Sequence, residues 1–143
     1  MPHTEAEIAD STRRMFAADH ASRALDIEVL EAVRGRATVS MSVTAAMVNG
    51  HALAHGGYVF LLADTAFACA CNSEGPITVA AGAEITFVAP ARQGDLLYAR
   101  AEERTRFGRS GIYDITVRDD RARVMAEFRG HSRCLEREGE SPP

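Results

Sequence analysis

The chain has 143 residues, of which 46% are hydrophobic and 25% charged, and its formal net charge is -4. This length predicts one domain, spanning residues 1–143, with a sizeable core. The small negative charge disfavours nucleic acid and anionic membranes as partners. The first five residues lack the basic and apolar regions of a signal peptide, and no apolar stretch is long enough to span a bilayer. The sequence therefore predicts a cytoplasmic protein.

The N-terminal third predicts a helix followed by two strands. Residues 1–20 form a helical region, with a helix over 4–18 and Thr4 as its N-cap. Residues 25–29 alternate between apolar and polar, as in a half-buried strand. After a turn at Arg34 and Gly35, residues 37–43 alternate strictly, which is the clearest strand pattern in the chain.

The remaining two thirds predict one central helix and four more strands. The helix covers residues 57–73, between His-Gly-Gly and Asn-Ser-Glu-Gly signals, and is apolar on every side. Strands are predicted over residues 77–88, 96–104, 111–117 and 124–134, and residues 136–143 form a disordered tail. An antiparallel sheet needs a covering for its apolar face, and this helix is the obvious one. The fold class is therefore α+β, with an antiparallel sheet wrapped around one long buried central helix.

The three cysteines are predicted to be unpaired. Cys69 and Cys71 are two positions apart on the central helix, so they point in different directions and do not form a chelating or disulfide pair. The favoured interpretation is that they are small core side chains in a reducing compartment.

One carboxylate stands out in the central helix. Asp64 is the only charged residue from Tyr58 to Cys71. A buried carboxylate is costly unless it is paired, hydrogen-bonded or used in catalysis. The alternative to a catalytic role is a structural carboxylate paired with a hydroxyl, an amide or an arginine.

The start of the helix predicts a site for a negatively charged oxygen. Gly56 and Gly57 leave backbone N–H groups accessible at the positive end of the helix dipole, where they can polarise a carbonyl group. A tight entry turn is the structural alternative. Asp64 follows Gly56 by eight residues, or roughly 12 Å along a helix, so one carbonyl cannot contact both groups of one chain. If both act on one substrate, they come from two subunits of a dimer.

A longer combination of motifs resembles a known family. The chain is similar to the hotdog-fold acyl-CoA thioesterases, and within them to the phenylacetyl-CoA thioesterase (PaaI-type) subgroup. The motifs that carry the likeness lie at residues 49–51, 55–68, 72–73, 85–90, 94–95, 111–114 and 128–130. The resemblance implies the hotdog fold and hydrolysis of an acyl-CoA to a free acid and coenzyme A. It also implies a dimer with shared active sites, assembled into a homotetramer, and no cofactor.

The resemblance implies catalytic roles for five residues. Asp64 would act as general base or as nucleophile, and the Gly56 N–H would polarise the thioester carbonyl. Asn49 would help to hold the attacking water or the thioester, although an Asn-Gly pair is also a common turn. His55 would orient the loop or assist the carbonyl, with helix capping as the alternative. Thr65 would bond the substrate or Asp64, or only its own backbone.

Six further residues are predicted to bind substrate. The apolar side chains of Tyr58 and Phe60 are compatible with an aryl group, and glycines let a ligand approach closely. Arg106 and Arg109, on turns, suit the phosphates of coenzyme A, and Arg92 is a weaker candidate. Gly82 stands where some relatives carry a hydroxyl residue, which leaves the position of the water open. The predicted substrate-binding set is Gly57, Tyr58, Phe60, Gly82, Arg106 and Arg109.

Other chemistries are less favoured by the sequence. His51 and His55 are four apart, but the surrounding glycines predict a loop, and no third ligand accompanies them, so no metal site is predicted. An acyl-thioester hydratase or dehydratase would need a histidine with a carboxylate, for which His55 and Asp64 are available. A non-catalytic acyl-CoA-binding domain is the other alternative. A DNA-binding regulator is disfavoured because residues 1–24 are too short and too acidic.

Overall fold

The computed structural model describes residues 7–135, which form a six-stranded sheet around one long helix. Neighbouring strands in the sheet are all antiparallel, in the order β1-β2-β4-β5-β6-β3. The helices are α1 (Asp10–Ala17), α2 (His20–Ala24) and α3 (Gly56–Cys71), with a 3-10 turn at Ala45–Met47. The strands are β1 (Glu28–Val33), β2 (Arg36–Ser42), β3 (Thr78–Phe87), β4 (Leu96–Phe107), β5 (Ser110–Asp119) and β6 (Val124–Cys134). The predicted hotdog architecture is confirmed.

Local sequence explains how the sheet begins. Arg34 and Gly35 both have positive φ values, 51° and 77°. Two consecutive residues in this conformation make the turn whose twist matches a two-residue hairpin. The turn predicted at this point is therefore confirmed, and it pairs Val33 with Arg36 at the end of β1 and β2.

The core lies between α3 and the concave face of the sheet. Phe67 of α3 is almost fully buried, and its ring packs 5.5 Å from that of Tyr113 and 6.1 Å from that of Phe128. A Cβ atom added to Gly130 of β6 would lie 2.6–2.8 Å from three atoms of the Phe67 ring. Glycine at this position therefore lets the helix approach the sheet.

The C-terminal end of α3 is tied to three other parts of the chain. The Asn72 side-chain amide donates to the carbonyl oxygens of Ala68 and Thr78, and its Oδ1 accepts from the Thr78 N–H, each at 2.9 Å. Ser73 Oγ accepts from the Gly35 N–H at 2.9 Å. From α1, the Ser11 hydroxyl donates to the Asn72 carbonyl oxygen, and the Thr12 hydroxyl donates to the Cys69 carbonyl oxygen. The predicted stop of the helix is confirmed to within two residues.

The N-terminal region differs from its prediction in three ways. The first helix begins at Asp10 rather than at residue 4, because Ile8 forms a bridge with Ala32 at the edge of β1. Thr4 lies outside the described residues. Strand β1 begins at Glu28 rather than at residue 25, because the short helix α2, which was not predicted, occupies residues 20–24. The predicted tail over 136–143 also lies outside the described residues.

Strand β3 lies at an open edge of the sheet. Among residues 7–135 it pairs only with β6, and most of its residues are exposed. Apolar side chains in and beside this strand reach the surface, with exposed fractions of 42% at Val79, 54% at Phe87 and 56% at Val88. An unpaired, apolar edge is unusual in a chain that acts alone. Within residues 7–135, no helix combines the length and the hydropathy needed to cross a bilayer.

Candidate active site

Asp64 lies at the middle of α3 and is half-buried. Within residues 7–135 its carboxylate has no hydrogen-bond or ion-pair partner. Burial raises the pKa of this carboxyl above its usual value, and the negative charge of Asp19 raises it further. The structural alternative, a carboxylate held by a hydroxyl, amide or arginine, therefore has no partner in the described part of the chain. A carboxylate of raised pKa that lacks a fixed partner is suited to accept a proton.

The N-terminal end of α3 presents one unused backbone donor. His55 is the N-cap, and its Nδ1 accepts from the Gly57 N–H at 3.1 Å. The Tyr58 N–H donates to the His55 carbonyl oxygen. The Gly56 N–H finds no acceptor in the described range, and it points from the positive end of the helix dipole. This is the geometry that polarises a carbonyl oxygen or binds an anion.

Phe87 covers this helix end and was not predicted as a site residue. A Cβ atom added to Gly56 would lie 2.9 Å from the tip of the Phe87 ring. The ring comes from the end of β3 and is half exposed. The contact joins residues 31 positions apart, so no local pattern could indicate it; the only signal was an aromatic residue within the motif at 85–90.

The structure keeps Gly56 and Asp64 of one chain apart. Both lie on the same continuous helix, eight residues from each other. At ~1.5 Å per residue, their separation along the axis is roughly 12 Å. A thioester carbonyl bound at one of them does not reach the other in the same chain.

Asn49 organises the loop that leads to α3. Its Oδ1 accepts from the N–H groups of His51 and Leu53, at 2.9 and 3.2 Å. Its own N–H donates to the Leu53 carbonyl oxygen at 2.7 Å. The turn-forming interpretation of Asn49 thus has a structural basis. Any contact with substrate or water is left to the Nδ2 amide group, which has no acceptor among residues 7–135.

His55 acts as a cap, as the alternative interpretation of this residue expects. Because its Nδ1 accepts the Gly57 N–H, the ring proton of the neutral histidine lies on Nε2. The ring meets Tyr58 edge-on, with centroids 6.5 Å apart. His55 can therefore assist a carbonyl only through Nε2.

Thr65 faces the interior of the protein. It is 5% exposed, and its hydroxyl donates to the Leu61 carbonyl oxygen at 2.8 Å. It also lies 2.8 Å from the Ser22 hydroxyl on α2. The backbone-bonding alternative for Thr65 is therefore present, together with a contact to α2 that the sequence could not indicate.

The side chains of Tyr58, Val59 and Phe60 do not form one wall. Successive residues of a helix point in different directions. Val59 is buried in the core, and the Phe60 ring packs edge-on against Phe128 of β6, at 5.2 Å between centroids. Of the three, Tyr58 has its ring edge-on to that of the N-cap residue His55.

The predicted phosphate-binding arginines lie far from the start of α3. Arg106 belongs to β4, not to a turn, because β4 and β5 pair up to Phe107 and Ser110. Its guanidinium already pairs with Glu103 at 3.3 Å and Glu74 at 3.7 Å. Arg109 does lie in the turn. Phosphate binding by these two residues stays a prediction.

Gly82 lies on β3 next to a shift in register with β6. A Cβ atom added there would meet only the His131 side chain, at 4.0 Å. Nothing in the described chain requires glycine at this position by close approach. The space beside Gly82 is open on the edge strand, where a ligand or a second copy of the chain has room.

Comparison with known proteins identifies the family of the chain. Residues 51–126 match the thioesterase superfamily model. The chain is 44% identical to the acyl-coenzyme A thioesterase PaaI of Escherichia coli (strain K12) over 118 residues, which cover 82% of this chain and 84% of that protein. Gly56 and Asp64 fall inside the matched range, whereas Asn49 falls just outside it.

Solved structures show the same fold. The Escherichia coli PaaI protein from the phenylacetic acid degradation operon has a TM-score of 0.86 and 41% identity, covering 88% of this chain and 91% of that one. A variant of the phenylacetic acid degradation protein PaaI from Thermus thermophilus has a TM-score of 0.78 and 34% identity. The match covers 82% of this chain and 100% of that one. The resemblance inferred from the motifs is confirmed, and the chain belongs to the thioesterase superfamily, as a hotdog-fold hydrolase of thioesters.

Proposed function

We propose that this enzyme hydrolyses aryl or short acyl-CoA thioesters, with hydroxylated phenylacetyl-CoA as the first candidate, to the free acid and coenzyme A. The observation that carries the proposal is the unpaired, half-buried Asp64 on the helix that also presents the Gly56 N–H. The descriptions of Escherichia coli PaaI support the substrate class, because that relative is an acyl-coenzyme A thioesterase and comes from a phenylacetic acid degradation operon.

Asp64 can promote hydrolysis in two ways. As general base it takes a proton from water while the water oxygen attacks the carbonyl carbon; the tetrahedral intermediate then expels the thiolate as the C–S bond breaks. As nucleophile its carboxylate oxygen attacks instead, releasing the thiolate and leaving a mixed anhydride that water hydrolyses. In both routes the carbonyl oxygen gains negative charge. The Gly56 N–H stabilises that charge, a contribution of roughly 10²–10³ in rate for one such donor.

The proposed site is shared between two subunits. The separation of roughly 12 Å along α3 requires Gly56 from one chain and Asp64 from another. The open, apolar edge at β3 supports this arrangement, because pairing β3 with its copy would extend the sheet and cover Val79 and Phe87. The space beside Gly82 allows a close approach at that edge. Two such dimers would form the homotetramer implied by the resemblance. Cys69 and Cys71, which form no disulfide with each other, fit the proposed cytoplasmic location.

Thiol release tests the proposed activity. Wild type and Asp64→Asn are assayed against a panel of acyl-CoAs that includes phenylacetyl-CoA and its hydroxylated forms. We expect turnover of an aryl or short acyl-CoA by the wild type and its collapse in the variant, with ligand binding retained. If Asp64→Asn hydrolysed substrate at the wild-type rate, Asp64 would have no catalytic role. Binding without turnover of any ester would instead identify a non-catalytic acyl-CoA-binding domain.

Subunit complementation tests the shared site. Two inactive variants, Gly56→Pro and Asp64→Ala, are mixed under conditions that exchange subunits, and hybrids are verified by mass. Each hybrid dimer has one intact combination of Gly56 and Asp64, so activity should return to roughly half that of a wild-type dimer. Verified hybrids without activity would sink the shared-site proposal but leave the thioesterase proposal standing.

A further inference from the structure

A chain of three buried or half-buried polar side chains connects α2 to the residue that follows Asp64. Asp19, the N-cap of α2, accepts from the Ser22 N–H through Oδ1 at 2.9 Å and from the Ser22 hydroxyl through Oδ2 at 2.6 Å. Ser22 Oγ lies 2.8 Å from Thr65 Oγ1. Ser22 is 2% and Thr65 5% exposed. We call these three residues the Asp19 chain.

The direction of the hydrogen bonds in the Asp19 chain follows from their donors. The single Ser22 hydroxyl proton goes to the Asp19 carboxylate, so Ser22 Oγ is an acceptor toward Thr65. The Thr65 proton is therefore shared between Ser22 Oγ and the Leu61 carbonyl oxygen. Every hydroxyl in the chain has a partner, and bonds inside a protein of low dielectric reinforce one another.

Capping of α2 does not account for the whole Asp19 chain. A cap needs one side-chain oxygen on a backbone N–H, which Oδ1 of Asp19 provides. The second oxygen instead reaches the interior through Ser22 and meets α3 one residue after Asp64. The five-residue helix α2 is thereby attached to the turn of α3 that carries Asp64.

Asp19 is also the charged group that acts on Asp64. Helix α3 packs against all six strands and against α1 and α2. Of the charged groups on these elements in the described part of the chain, Asp19 is the one that influences Asp64, and its negative charge favours the protonated form. The remaining titratable neighbour is Cys71 on α3 itself, a thiol whose pKa burial raises to about 12 and which is neutral at physiological pH.

We propose that Asp19 and Ser22 are positioning residues for the hydrolytic reaction: the Asp19 chain holds the turn of α3 that carries Asp64, through the contact of Ser22 Oγ with Thr65 Oγ1. This inference rests on the proposed function, since it assumes that Asp64 acts in hydrolysis. Neither residue touches the substrate. Their effect reaches the reaction only through Asp64 and Thr65.

The charge is tested by the pH profile of kcat/KM for Asp19→Asn. Asparagine is as good an N-cap as aspartate, and its Oδ1 can keep the bond from the Ser22 N–H. Its Nδ2 donates where Asp19 Oδ2 accepts, so the change removes the charge and also reverses the bond to the Ser22 hydroxyl. The acid limb of the profile should move to lower pH, and the rate on the plateau should fall roughly two- to tenfold because the base is weaker. The matched control is Asp26→Asn, which removes one exposed charge from the far end of α2 at a position where Asn tolerates the positive φ. Its acid limb should not move.

The hydrogen bonds are tested by pairs of variants at Thr65 and Ser22. Thr65→Val removes the hydroxyl at nearly equal volume and should lower kcat with KM little changed, and Thr65→Ser, which restores a hydroxyl, should have a higher kcat than Thr65→Val. Ser22→Ala should resemble Thr65→Val, with an acid limb that is not moved to lower pH because the Asp19 charge remains. If Asp19→Asn does not fold, Asp19→Ser supplies a neutral N-cap for the same profile.

The outcomes separate this inference from the proposed function. Asp64→Asn is assayed in parallel; if it keeps wild-type turnover, the proposed function fails first. If Asp64→Asn is inactive while the acid limbs of Asp19→Asn and Asp26→Asn coincide, the role of the Asp19 charge is overturned. Equal kcat values for Thr65→Val and Thr65→Ser would overturn the role of the hydrogen bonds.

Discussion

The two ends of α3 are built in opposite ways. At the C-terminal end, Asn72, Ser73 and two hydroxyls from α1 bond the last carbonyls and the following strand. At the N-terminal end, the Gly56 N–H has no acceptor within residues 7–135, and a half-exposed aromatic ring lies over it. The closed end contributes stability, whereas the open end leaves a donor available to a ligand. Substitutions at the two ends should therefore change different properties.

The largest expected effect is at the open end, in Gly56→Pro compared with Gly56→Ala. Proline suits the first position of a helix, and His55, with ψ at 133°, has the extended conformation that precedes proline. Both variants place a Cβ against the movable tip of Phe87, but only proline removes the N–H. Turnover of Gly56→Pro should be roughly 10²–10³ lower than that of Gly56→Ala, at similar unfolding temperatures. Equal turnover in thiol-release assays would contradict the role of this N–H.

At the closed end, Asn72→Ala should reduce stability. The change removes four hydrogen bonds at a buried position, one of them to Cys71 Sγ, and leaves the Thr78 N–H and two carbonyl groups without that partner. We expect a loss of about 2–3 kcal/mol in the free energy of unfolding, measured by denaturant titration, with turnover per folded molecule unchanged. Thr78→Val is the control, because its exposed hydroxyl bonds only the Pro76 carbonyl. If Asn72→Ala lowered turnover without lowering stability, the two ends of α3 would not differ in the way described.

Between the two ends, Asp64 should lower stability at neutral pH. Its folded-state pKa lies above the unfolded value of 3.8, so the folded form binds the proton more tightly, and stability falls as the pH rises through that folded pKa. Asp64→Asn should therefore raise the unfolding temperature at neutral pH, and the gain should disappear below pH 3.8, where both states are protonated.

Asp114→Asn provides a control of opposite sign for the Asp64 measurement. A hydrogen bond from Arg129 holds the pKa of Asp114 below its usual value. Its substitution should lower the unfolding temperature at neutral pH, and that loss should fade as the pH falls through the folded pKa. If the unfolding temperatures of the two variants changed in the same direction with pH, burial would not be the cause of the raised pKa of Asp64.

The smallest expected effect concerns the loop before the open end. Ala52, in the turn organised by Asn49, has a φ of 61°, and Ala122, in the remote turn between β5 and β6, has a φ of 64°. Glycine relieves the strain of this conformation but loses more chain entropy on folding, so each Ala→Gly change should stabilise by about 0.5 kcal/mol or less. Only Ala52→Gly should lower kcat/KM, because it loosens the loop beside Gly56. Equal kinetic effects at both positions would argue against a role for that loop.

Patterns that are local in the sequence predicted most of the architecture. The apolar run with one carboxylate indicated α3 and singled out Asp64, and alternation indicated the strands. Helix α2 has only five residues, which is less than two turns and too short to show periodicity. Arg106 was placed on a turn because the polar end of β4 looks like a loop, although pairing with β5 continues it as a strand.

Contacts between distant residues account for what the sequence could not indicate. Thr65 meets Ser22 across 43 positions, and Phe87 meets Gly56 across 31. Phe60 packs its ring against Phe128 across 68 positions, and its predicted contact with substrate stays a prediction. These contacts depend on how α2, β3 and β6 pack against α3, which no single segment of the sequence contains.

The contact between Gly130 and the Phe67 ring has a consequence for how this family can diverge. Any side chain at position 130 overlaps the ring, so the two positions are not free to change independently. The order of substitution matters: Phe67 must shrink, to leucine for example, before Gly130 can become alanine. Related chains should therefore show paired replacement at these two positions, with residue 67 the larger wherever residue 130 is glycine. A designer who wishes to shift α3 relative to the sheet would begin with the same pair.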